Sequence, residues 1–143
     1  MVEIDLENLS WDDCEVVDIP MPDGRFEKTI FLYNVRGLPK GVQGFTAYRG
    51  NPLFPNYDVI GINHKLTYPP VSDKKKYVKD HETLHKQHPE AAAVLGPAGA
   101  EYATRMASDA VYHAKTGEYA NTAGDMLGEA DYNAYANNCA DFN

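Results

Sequence analysis

The chain has 143 residues, 43% of them hydrophobic and 24% charged, with a formal net charge of −8. That length and balance predict one globular domain with a genuine core. The acidic excess argues against a nucleic-acid or anionic-membrane partner, and no apolar run approaches the length of a transmembrane span.

The first seven residues are acidic and lack both a basic n-region and a continuous apolar h-region, so a cytoplasmic location is the expectation. Cys14 and Cys139 are then expected as reduced thiols, and neither belongs to a C-x-x-C pair.

In chain order, residues 1–24 read as an acidic N-terminal arm, and 25–143 as the domain proper. Pro22-Asp23-Gly24 signals a turn. Residues 29–35, 42–48 and 57–66 are rich in β-formers and are separated by Gly, Pro and Asn. They predict a small three-stranded sheet, antiparallel or mixed.

After Pro70 the pattern turns helical. Ser72 is a suitable N-cap, Asp73 suits a first turn, and Pro89 ends a helix over about 73–88. Tyr77, Val78, His81, Leu84 and His85 share one face of it and are expected to point inward. A second helix is expected over 97–115, closed by Gly117, with Tyr102, Met106 and Ala110 among its apolar positions. A third is expected from about 122 to 138. Strands first and helices second make the fold class α+β.

The first helix carries His81-Glu82-Thr83-Leu84-His85, which reads H-E-x-x-H. Histidines at i and i+4 project from one side of a helix and reach a single ion, and the adjacent glutamate can act as a base on a metal-bound water. A catalytic zinc site needs a third protein ligand from another element. The last helix offers Glu129, with Asn133 four residues on and on the same face.

Here the chain resembles the gluzincins, zinc metallopeptidases whose H-E-x-x-H helix is followed by E-x-x-x-D or E-x-x-x-N. Ala134-Tyr135-Ala136 resembles the continuation of that second motif. The resemblance implies a zincin-like fold and a zinc-dependent peptidase acting on a peptide or protein substrate. It implies His81, His85 and Glu129 as zinc ligands, Glu82 as general base and Asn133 as acceptor for a ligand histidine's ring N–H. Residues 57–66 become the edge strand that binds substrate backbone.

Asn133 stands where aspartate is commoner. A register with Asp131 as ligand and Tyr135 beside it stays open. Ala91 occupies the place of a metzincin's third histidine, which excludes that branch. His64, His113, Tyr119 and Tyr132 stand as donors to an oxyanion, with no choice among them.

Two other readings accompany this one. The domain can be a catalytically silent, zincin-like metal-binding module that serves interaction or structure. Alternatively, the acidic arm or residues 137–143 lie in the cleft and keep an enzyme latent.

Overall fold

The computed structural model describes residues 4–128 and 139–142. Strands β1 (Asp13–Pro20) and β2 (Phe26–Val35) form an antiparallel hairpin that places Asp13 opposite Tyr33 and Pro20 opposite Phe26. Its turn is the Pro22-Asp23-Gly24 segment, where Gly24 has φ 88°. Strands β3 (Gly44–Ala47) and β4 (Asp58–Asn63) are antiparallel to one another, and β4 runs parallel to β2. A short β5 (Cys139–Phe142) lies parallel to β3. The order across this mixed sheet is β1-β2-β4-β3-β5.

Where the sequence reading expects three strands, the sheet has five among the described residues. Nearly all of β1 is solvated, so it lacks the apolar alternation that reveals a half-buried strand. The strand expected at 57–66 as a substrate-binding edge is not at an edge. β4 lies inside the sheet, with both of its edges taken by β2 and β3.

Alternation along β2 divides the core in two. Ile30, Leu32 and Val35 face one way and pack with Val42, Phe45, Ala47 and Val59, under Ile4, Leu6 and Leu9. Phe31 and Tyr33 face the other way, with Ile60, Ile62 and Val78.

Val78 belongs to α1 (Lys74–Gln87), the helix that covers this second face. Asp73, rather than Ser72, caps α1 by accepting from the Lys76 amide at 3.1 Å. Ser72 instead gives both its amide and its hydroxyl to Glu118.

Helix α2 (Glu90–Thr116) begins earlier than expected but is interrupted at Gly96, whose φ of 77° and ψ of 166° are not helical. Pro97 then opens the longer segment, since a proline at the first helical position gives up no hydrogen bond. Gly117, at φ 77°, ends it in the left-handed conformation. Helix α3 (Thr122–Gly128) follows, and residues 129–138 lie outside the described residues.

Candidate metal centre

α1 sits between the sheet and α2, so two of its faces are buried. An α-helix turns about 100° per residue. Neighbours His81 and Glu82 therefore serve different surfaces. Glu82, fully buried, faces β3, where the Thr46 hydroxyl lies 2.8 Å from its Oε1 and 3.0 Å from its main-chain oxygen. Gly44 makes this approach feasible: a Cβ there would stand 2.9 Å from Val78 Cγ1 and 3.2 Å from Glu82 Cγ.

His81 and His85, 1% and 3% exposed, turn toward α2. There they meet Glu101. His81 Nε2 is 3.0 Å from Glu101 Oε1, His85 Nε2 is 3.1 Å from Glu101 Oε2, and the two Nε2 atoms are 3.1 Å apart. Among the described residues, this is the group of His, Cys, Asp or Glu side chains whose donor atoms converge closely enough to hold one ion.

The packing around these three side chains orients them. Ser108 donates its single hydroxyl proton to the Thr104 carbonyl at 2.6 Å. Its oxygen, 3.0 Å from His81 Nδ1, must then accept from an Nδ1–H. That proton assignment leaves the Nε2 lone pair of His81 directed at Glu101 and His85, which is the tautomer a metal requires.

Arg105, 2% exposed, donates from Nε to Glu101 Oε1 at 2.9 Å and lies over the Tyr68 ring. Burial pushes the Glu101 carboxyl up, but when His81 carries a second proton, on Nε2, its charge and the hydrogen bonds from His81 and His85 outweigh it. Its pKa is held well below the usual carboxylate range.

These donors fit a cation. With Nδ1 protonated toward Ser108, a neutral His81 would aim a lone pair at an ionised carboxylate 3.0 Å away. A positive charge among the three groups, a proton or a metal ion, removes that repulsion. Zinc bonds of about 2.0–2.1 Å at tetrahedral angles set ligand atoms about 3.3 Å apart, close to the separations seen here. Two imidazoles and one carboxylate are a zinc ligand set that leaves the fourth position for water.

Beside His81 lies a small, partly open cavity of about 10 Å³, lined by Gln43, Tyr68, Pro69, Tyr77, Val78 and Arg105 as well. It has room for about one water molecule. The Tyr68 hydroxyl is tied to Asp125 at 2.7 Å, and Tyr77 to Asp109 at 2.7 Å.

Of the residues singled out in the sequence, His81 and His85 come together, with Glu82 beside them on the sheet side. Glu129 and Asn133 lie outside the described residues, as do Asp131, Tyr132 and Tyr135. His64 contacts the Val35 carbonyl at 3.1 Å, and His88 contacts Glu90 at 3.2 Å. His113 stacks on Tyr119 with ring centroids 3.9 Å apart.

Glu101 escapes the sequence reading because its partner four residues on is Arg105, not Asp or Asn. The inward face of α2 is also not the expected one. Met106 and Ala110 are exposed, whereas Ala100, Glu101, Thr104, Arg105 and Ser108 are buried. A polar stripe turned toward two histidines defeats an argument from apolar periodicity. The legible signal is the regular recurrence of polar residues 101, 104, 105 and 108 on the helix that follows the H-E-x-x-H helix.

No protein-family model, no curated protein and no solved structure matches this chain.

Proposed function

We propose that this chain is a zinc-dependent peptidase of gluzincin type, with His81, His85 and Glu101 as the metal ligands. The observation that carries the reading is the convergence of His81 Nε2, His85 Nε2 and the Glu101 carboxylate at 3.0–3.1 Å. A divalent cation held by His81, His85 and Glu101 would supply Lewis acidity for a substrate carbonyl and an attacking water.

The remaining work falls to the chain's own groups. Glu82 takes the proton of the attacking water and returns it to the leaving amine, so the net change is hydrolysis of one peptide bond. Thr46 fixes one oxygen of that carboxylate and so restricts how it turns. Ser108 and Arg105 keep His81 and Glu101 in their binding orientation. Arg105, which lines the small cavity beside His81, carries a positive charge suited to a developing oxyanion.

One observation favours a second reading, a silent metal-binding module. The ligands are only 1–3% exposed, and the adjoining cavity admits about one water. A structural ion needs no route for substrate.

Glu82→Gln separates the two. In a peptidase it abolishes turnover while elemental analysis still finds one metal per chain. In a module it changes nothing measurable. Wild-type protein that retains no metal after zinc loading and gel filtration would end both readings.

A further inference from the structure

Helix α2 carries its polarity inverted. Between positions 91 and 114 its Asp, Glu, Lys and Arg residues are Glu101, Arg105 and Asp109. Glu101 and Arg105 are buried, and Asp109 is bound to Tyr77 and Thr122. Every exposed residue over the same stretch is Ala, Val, Leu, Pro or Met. A helix on the surface of a globular domain ordinarily turns its charged residues to the solvent. Here α1 and α3 pack against α2 and take up its charged groups, and the apolar side faces out.

That outer face is shaped as well as apolar. The helix is kinked at Gly96, and a groove of about 340 Å³ opens between its two parts and α1, with Leu84, Ala91, Val94, Leu95, Ala103 and Ala107 in its walls. Val94 and Leu95 stand out from it at 76% and 53% exposure, and Met106 on the same helix is 52% exposed. Among the described residues, three of the seven large exposed hydrophobics therefore lie on this one helix. A gathering of that kind marks an interaction surface rather than scattered surface residues.

We propose that the outer face of α2 is a self-association surface, and that its occupant is the same face of a second copy of this chain, related by a two-fold axis. The proposal does not depend on the peptidase reading.

Charge, shape and polarity select a second copy. The chain has a net charge of −8, so two copies repel, and this face lets them meet without placing exposed carboxylates of α2 against each other along residues 91–114. A projection and a recess lie side by side, as a two-fold contact requires: the Val94–Leu95 ridge of each copy enters the groove of the other. A two-fold axis through the face also sets the helices antiparallel. Glu90 begins α2, while Lys115, which also meets Asp80, lies at its end, and both are exposed. The acidic end of each copy then approaches the basic end of the other, with the helix dipoles opposed.

Size sets the strength of the pair. Residues 93–114 span about 33 Å at 1.5 Å per residue. Two such faces with their groove walls bury about 1,000 Å² in total, the lower bound for a specific contact, so the dimer is reversible rather than obligate. Leu84, beside His85, and Thr104, whose carbonyl accepts from Ser108, line the same groove. The second copy therefore covers one side of the seam between α1 and α2.

Sedimentation velocity on the full, metal-free chain reads the association directly. Between about 1 μM and about 300 μM the wild type should pass from monomer to twice the monomer mass, with a Kd of about 1–100 μM. Met106→Glu puts a carboxylate on each side of the contact and should weaken the pair about tenfold or more. Val16→Glu adds the same charge at an exposed residue of β1 and should leave the Kd unchanged.

Should Met106→Glu unfold, as seen by circular dichroism, Ala107→Glu at the next exposed position replaces it. A wild type that stays monomeric throughout overturns the proposal, whatever else the face receives. So does growth beyond a dimer, a dimer that the folded α2 variant leaves intact, or one that Val16→Glu weakens equally.

Discussion

The paired variants Glu101→Gln and Glu129→Gln decide which glutamate completes the proposed metal site. Zinc that binds the folded chain raises its stability by RT ln(1 + [Zn]/Kd), about 2.7 kcal/mol at 100 times Kd. For a chain near 150 residues, each kcal/mol moves Tm by about 2–4 °C, so the wild type should gain about 5–11 °C.

In Glu101→Gln the amide is a poor ligand. Removing a mere hydrogen-bonding partner of a ligand already weakens metal binding about 10–100-fold. At a 100-fold loss and the same zinc concentration, about RT ln 2, or 0.4 kcal/mol, is left. The expected gain then falls to about 1–2 °C. The metal-free variant should itself melt below the metal-free wild type, because buried Arg105 loses the charge it pairs with at 2.9 Å.

Differential scanning fluorimetry on chelator-stripped protein, titrated with zinc, reads both effects. The Glu129→Gln variant should respond to zinc as the wild type does. A full zinc response in Glu101→Gln, or its loss in Glu129→Gln, refutes the assignment.

Three further outcomes are expected. Ser108→Ala should weaken zinc binding about 10–100-fold, measured by competition with a chromogenic chelator, with little change in fold; unchanged affinity would remove Ser108 from its orienting role. Lys86 is buried, with its Nζ 2.6 Å from Glu27 and 2.8 Å from Asp58. Lys86→Met leaves those carboxylates without their buried cation and should cost about 3–5 kcal/mol in urea denaturation, most of it recovered when Asp58→Asn and Glu27→Gln are added. The hydrogen bond from Lys86 lowers the Glu27 pKa below its ordinary value of 4.5 despite an opposing effect of burial. A depressed carboxylate stabilises the fold above its unfolded pKa and loses that contribution as pH falls through the folded one. Metal-free protein should therefore lose stability below about pH 4.5, and Glu27→Gln should flatten that slope; parallel slopes would count against the pairing.

Much of the local organisation is legible in the residues. Pro22-Asp23-Gly24 makes the first turn, the β-formers at 29–35 fall within β2, and those at 42–48 and 57–66 contain β3 and β4. The helix around the histidine pair runs from the Asp73 cap to just before Pro89, and Gly117 ends the next one. These features depend on neighbours within a few positions. Caps, turns and the i, i+4 rule act at that range, so residue order alone carries them.

The harder elements are those whose partners are remote. β1 is recognisable only through its pairing with β2, because its own side chains are mostly solvated. β4 reads as an edge strand until the order across the sheet, β1-β2-β4-β3-β5, places it inside. The polar inner stripe of α2 makes sense only once α1 packs against it.

Two imidazoles on one helix face were determined by sequence, because 3.6 residues per turn bring positions 81 and 85 together wherever that helix forms. Which carboxylate joins them was decided by tertiary structure. The break at Gly96 redirects the chain, and the packing of α2 on α1 carries residue 101 to within 3.1 Å of both rings. The carboxylate that meets the two histidines is a long-range contact, and its position follows from the angle at which two helices pack rather than from any spacing along the chain.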